Sequence, residues 1–178
     1  AALTSLSALW TAPSPAGNTY IMRVSTANDF TGMLSSSQTA LTFASASSPA
    51  LSINTTYYGQ VAAVVNGSTS AYSAYVTTAT LAATPLTHSS TWTAVNVTSM
   101  TVQWLQGINP LNVTQYVVEL STVSGFGSGT TLSSSTYLST ATFTNLVPDT
   151  LYYAQVKAVN HSNISTLYAD LGSTRTNA

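Results

Sequence analysis

Cysteine is absent, which rules out a disulfide framework and thiolate metal sites and leaves the redox compartment unreadable. Charge is nearly absent too: Lys, Arg, Asp and Glu make up 4% of the chain, against about 25% in ordinary soluble domains. At a net charge of −1 no electropositive face can form for a phosphate backbone, which excludes nucleic acid as a partner. Attraction to anionic lipid fails for the same reason. No apolar run approaches the roughly 18 to 20 residues of a membrane-spanning helix, so no membrane insertion is expected. The opening residues AALTSLSALW lack the basic start of a signal peptide, and the chain reads either as mature or as a piece of something longer.

The side chains that carry chemistry are equally sparse. The acids are Asp29, Glu119, Asp149 and Asp170 and the histidines are His88 and His161, and they scatter along the chain. No paired carboxylates, His-x-His spacing or Gly-rich phosphate loop occurs. Serine is plentiful, but no G-x-S-x-G elbow presents one as a nucleophile. The expectation is therefore a non-enzyme with no catalytic, cofactor or metal site.

Hydroxyls take the place of charge: 27 Ser and 31 Thr fill about a third of the chain. Thr favours strands and Ser favours turns. The second salient feature is repetition. LVPDTLYYAQVKAVN, from Leu146 to Asn160, repeats the plan of LSINTTYYGQVAAVVN, from Leu51 to Asn66. In the later copy Leu146, Pro148, Thr150 and Tyr152 fall at every second position, and Ala154, Val156 and Ala158 continue the register. This is the period of a strand with one buried face. Tyr152 then points inward, and its hydroxyl, costly to bury unpaired, is expected to bond back to the preceding turn. Elsewhere Ser5 to Trp10 answers Ser99 to Trp104, Tyr20 to Ser25 answers Tyr116 to Ser121, Phe30 answers Phe126, and Tyr72 answers Tyr168. A unit of about 95 residues is repeated.

The L-x-P-x-T-x-Y pattern, about forty residues after a Trp closing the alternating run Met100, Val102, Trp104, resembles a fibronectin type III domain. Trp10 and Tyr57 stand in the same relation. The resemblance covers nearly the whole chain in two copies and implies an all-β fold: two immunoglobulin-like (fibronectin type III-like) Greek-key β-sandwiches in tandem, with a tyrosine corner at Tyr152. It informs fold far better than function. The expected domains are 1–82 and 83–178. Strands of the second are expected at about 88–98, 99–105, 114–121, 129–133, 138–145, 151–160 and 166–176. The first copy begins inside what corresponds to the second strand, so its first strand is absent from this chain. Three explanations stand: a longer repeat chain, a strand donated by another subunit, or a domain that manages with six strands. The short connection LAATPLT is stiffer than a Gly/Ser tether, which points to an elongated arrangement.

Six N-x-S/T sequons, at Asn54, Asn66, Asn96, Asn112, Asn160 and Asn163, are candidate glycan acceptors. With 11 Asn and so many hydroxyls, about 3.6 are expected by chance, so the enrichment is mild. Loops around Asn109, Leu111 and Asn112, and around His161 and Asn163, share one pole of such a sandwich and are candidate partner-binding loops. Asp149 reads as a turn residue bonding its own backbone. Arg23 and Glu119 occupy equivalent outward positions in the two copies. The function expected is an extracellular or cell-surface structural repeat protein, self-associating as the subunit of a filament or appendage joined by strand complementation. The alternative is an adhesive or carbohydrate-binding module of a larger secreted or surface protein; a passive spacer is a third reading.

Overall fold

The computed structural model describes residues 1–127 and 131–178. Contacts divide the chain into two units, Ala1–Leu81 and Ala82–Ala178. The first holds β1 (Leu6–Leu9), β2 (Thr19–Ser25), β3 (Leu34–Thr39), β4 (Phe43–Ala46), β5 (Thr56–Val65), β6 (Ser68–Thr69) and β7 (Val76–Ala79). The second holds β8 (Leu86–Val95), β9 (Ser99–Leu105), β10 (Gln115–Ser121), β11 (Thr131–Thr136), β12 (Thr140–Thr144), β13 (Leu151–Val159) and β14 (Ala169–Arg175). All named pairings are antiparallel, and both units are β-sandwiches.

In the second unit one sheet runs β12-β9-β8 and the other β11-β10-β13-β14. The inward set is the one alternation demands: Met100, Val102 and Trp104 from β9, Tyr116, Val118 and Leu120 from β10, and Tyr152, Ala154, Val156 and Ala158 from β13 are all buried. Burying each large member stabilises the sandwich by about 1.5–3 kcal/mol before entropy is counted. The strand expected from about 88 starts earlier, at Leu86, directly after Pro85, and is broken by register shifts on either side of Trp92. Gln103 Nε2 holds the shifted backbone by donating to Ser90 O at 2.7 Å. Such bulges turn an edge strand away from further pairing. The short strand expected near 129–133 begins among residues outside the described set; its described part, β11, starts at Thr131.

In the first unit β1 pairs with β4, and β3-β2-β5 forms the opposite sheet, with β6 and β7 both on β5. Its core draws on the corresponding strands, with Leu6, Met22, Val24, Ala44, Ala46, Leu51 and Tyr57 buried. A Trp packs edge-on against a Tyr in each: Trp10 on Tyr20 at 5.7 Å, Trp104 on Tyr116 at 5.6 Å.

The tyrosine corner is present twice. Tyr152 is buried and its hydroxyl accepts the Val147 N–H at 3.1 Å; Tyr57 accepts the Ser52 N–H at 2.8 Å. A threonine immediately after the last strand closes each corner. Thr176 Oγ1 donates to Val147 O at 2.7 Å and accepts from Thr150 N at 2.9 Å, while Thr80 Oγ1 does the same with Ser52 O and Thr55 N at 2.6 and 3.0 Å. Pro148 is exposed, so the inward alternation holds at Leu146 and resumes at Tyr152 without including the proline between. Its counterpart Ile53 sits in an equivalent corner, so the corner's bonds depend on backbone groups and Thr rather than on proline.

Candidate functional site

The first unit is open where the second is closed. In the second, β8 pairs along β9, with Leu86 opposite Leu105, Trp92 opposite Val102 and Val95 opposite Met100. Trp92 and Val95 pack against the core cluster, and Thr87 Oγ1 donates across to Asp170 O on β14 at 2.8 Å. The equivalent edge of β1 has no strand on it among the described residues, since β1 pairs only with β4. Between β1 and β7 lies a groove of about 590 Å³ whose walls include Leu6, Ala8, Met22, Tyr57, Val61 and Val76.

The consequence is visible in burial. Ala154 and Val156 of β13 are fully buried, while their counterparts Gly59 and Val61 on β5 are only partly covered. The edge itself is unguarded. β1 reads LSAL, without Lys, Glu or Pro to discourage pairing, and Leu9 is 81% exposed. Proteins ordinarily blunt such an edge with charge or a bulge, as β8 does on the second unit. A row of free backbone groups beside an apolar groove is suited to accepting one extended strand. No motif signals the groove; it emerges only when β1 is compared with its counterpart β9, which carries β8 on its other edge.

The sequons sort by burial. Asn54 is 1% exposed and Asn160 3% exposed, and Asn160 Oδ1 accepts the Ser162 and Ile164 N–H groups at 3.0 and 2.8 Å. A glycan has no room at either side chain in the folded units. Asn66, Asn96, Asn112 and Asn163 are exposed. Four of the six, Asn54, Asn66, Asn112 and Asn163, have positive φ, between 44° and 60°. Asn tolerates this left-handed region better than most residues, which gives these positions a backbone reason for being Asn.

The loop pole needs one correction. Asn109, expected to face a partner, is buried: its amide donates to Ala83 O and Gln106 O at 2.7 and 2.9 Å and accepts from Ala83 N at 2.7 Å. A buried side-chain amide must be bonded, and this one ties the loop to the start of its domain. Leu111 and His161 are exposed as expected, and His161 Nε2 lies 3.2 Å from Val113 O, linking the two loops. Around them Ile108, Leu111, Val113 and Leu167 are exposed apolar side chains.

Charged residues are absorbed locally. The guanidinium of Arg23 lies over Tyr72 at 3.7 Å and Phe30 at 4.6 Å, and Gln60, with its amide oxygen turned toward Arg23, accepts from it. In the second unit Glu119 accepts from Gln155 Nε2 and from the Tyr168 hydroxyl, both at 2.7 Å, and Lys157 lies over Tyr168 at 4.8 Å. Burial, helped by Glu119, raises the Tyr168 pKa. Asp29 accepts from the Thr31 hydroxyl and N–H at 2.6 and 3.1 Å, which lowers its carboxyl below the usual range. Asp149 is a turn residue as expected, at a φ of 47°, but its carboxylate meets exposed Arg175 at 3.2 Å rather than its own backbone. Among the described residues no group of three His, Asp or Glu could hold a metal, and no helix is long and apolar enough to cross a membrane.

Residues 85–168 match the sequence model of the Fibronectin type III domain family. The whole chain is similar in structure to a two fibronectin type-III domain segment from chicken tenascin, at 17% identity and a TM-score of 0.62, covering 98% of this chain and 94% of that one. It also matches the FN1-FN3 domains of chicken CNTN1 at 15% identity and a TM-score of 0.43, covering 99% of this chain and 64% of that one. Among curated proteins none matches this sequence.

Proposed function

Taking as premise that this chain is a tandem of fibronectin type III domains, we propose that it is a non-enzymatic structural repeat protein of the extracellular space or cell surface. Its first domain is joined to a neighbouring chain by strand complementation, as in a filament or appendage. The observation that supports this is that, among the described residues, β1 pairs only with β4 and its other edge lies beside an apolar groove. The scarcity of charge supports it too, because self-repulsion between copies is nearly absent. Backbone pairing would give the joint its strength, and apolar side chains at alternate positions would set its register.

A second reading, an adhesive or carbohydrate-binding module, is favoured by the exposed Ile108, Leu111, Val113 and Leu167 on the loop pole of the second domain. Sedimentation of the purified chain across a wide concentration and salt range separates the two. The structural reading expects association that grows with concentration and barely changes with salt, since few charges exist to screen. A chain that stays monomeric throughout removes the joint and leaves the binding module ahead.

A further inference from the structure

Arg23 and Glu119 stand at the same place in their domains and are held there by the same residue types. Each projects from the outward face of its sheet, Arg23 directly opposite Gln60 across β2 and β5, Glu119 directly opposite Gln155 across β10 and β13. Tyr72 stacks on the guanidinium at 3.7 Å, and its counterpart Tyr168 donates to the carboxylate at 2.7 Å. A charged side chain fixed in this way has lost its rotamer freedom before any partner arrives, which lowers the cost of docking.

Both groups keep bonding capacity after these contacts. The Gln60 oxygen takes Arg23 Nε at 2.6 Å and Nη2 as well, the side-on edge of the guanidinium. Its end-on fork, with Nη1, has no acceptor among the described residues and suits a carboxylate. Glu119 accepts one bond on each oxygen, which uses half of its roughly four sites. Neither residue meets an opposite charge, since the only ion pair among the described residues joins Arg175 to Asp149. The two faces also differ in sign. Arg23 is the only charged residue on the strands of the first domain. On the second face, with Arg175 paired off, Glu119 and Asp170 outweigh Lys157, which is drawn over Tyr168 at 4.8 Å. Ile21 and Tyr58 share the face of Arg23, and Val117 and Tyr153 that of Glu119, all four partly exposed. Closing one face on the other would shut water from the charged pair.

We propose that a second copy of this chain docks the β10-β13 face of its second domain onto the β2-β5 face of the first domain, seating the Glu119 carboxylate on the free fork of Arg23. Opposite charge selects this pairing, because two first-domain faces would set Arg23 against Arg23 and two second-domain faces Glu119 against Glu119. The joint is heterologous: every chain carries both halves, so the contact repeats from copy to copy. It rests on the self-association proposed above and is independent of the strand joint beside β1. A single pair covered on docking is screened little, so the joint fits association that barely responds to salt.

The test is sedimentation velocity on the full chain, with thermal melting to establish that each variant folds. Arg23→Glu and Glu119→Arg are each expected to weaken association at least tenfold, since each turns the attraction into repulsion. An equimolar mixture of the two variants is expected to restore it, because each face then finds its opposite sign on the other variant. Should either reversal fail to fold, Arg23→Gln and Glu119→Gln remove only the charge, and each must weaken association as well. Variants that associate like the unaltered chain overturn the joint and leave strand complementation to account for the contact. A loss that the mixture does not recover overturns the pairing of Arg23 with Glu119. If the unaltered chain stays monomeric at every concentration, the joint and the self-association reading fall together.

Discussion

Truncating Trp92 to Ala would give the second domain the opening that the first already has. Removing a core Trp or Phe side chain costs about 3–5 kcal/mol through lost transfer energy and the cavity left behind. Trp92 is only partly buried against the core, so roughly half of that, ~2 kcal/mol, is the expected loss. For a domain of roughly 100 residues each kcal/mol moves the midpoint by about 4–8 °C, so the second domain's transition should fall by ~8–16 °C. Calorimetry on the whole chain reads this directly, provided the two domains melt separately, and the first domain's transition should not move. A loss below about 0.5 kcal/mol, the range of ordinary surface substitutions, would refute the reasoning. The ring would then lie idle on the surface, and the groove it covers would have no energetic meaning.

Other consequences are equally measurable. Tyr152→Phe strands the Val147 N–H and should cost about 1–2 kcal/mol, with Tyr57→Phe similar in the first domain; chemical denaturation checks both, and no change in either would mean water replaces the hydroxyl. Asn109→Ala removes three buried hydrogen bonds and should destabilise the second domain by about 2–3 kcal/mol, whereas the exposed Leu111→Ala should leave its stability unchanged. Burial raises the Tyr116 pKa in the folded chain, with the nearby Asn109 and Thr114 side chains opposing the shift. The unfolded chain therefore loses this proton first, so the contribution is whole below about pH 10 and is lost as pH rises through the folded value. Tyr116→Phe should flatten that alkaline decline, and an unchanged slope would contradict it. Expressed in a glycosylating host, the chain should show sugar by mass spectrometry at none of Asn54 and Asn160, whatever is found at the four exposed sequons.

Much of the architecture could be read before any coordinates because the repeat doubles every signal. The alternation around Tyr152 recurs around Tyr57, and both corners form with the same partners. Side-chain destinations were harder to read where a loop residue can either face solvent or fold back. Asn109 was read as part of a partner-binding loop, but the start of the domain at Ala83 lies within reach and claims its amide. The sequons behaved alike in sequence and differently in space: Asn54 and Asn160 sit where the chain turns into or out of the core, and the others at outer turns. Arg23 and Glu119 were visible as an odd pair. Apart from Phe30, their aromatic and amide partners, Tyr72, Gln60, Gln155 and Tyr168, lie on strands or loops far along the chain, and only tertiary structure brings them together. The groove beside β1 takes shape only once Leu6, Ala8, Tyr57 and Gly59, from separate strands, are seen to line the same space.

The most direct test of strand complementation is electron microscopy of native material at a resolution that traces the backbone beside β1. The account predicts a strand from a neighbouring chain paired antiparallel to Leu6–Leu9. A strand traced to residues preceding Ala1 in the same chain, or isolated particles with nothing seated in the groove, would contradict it.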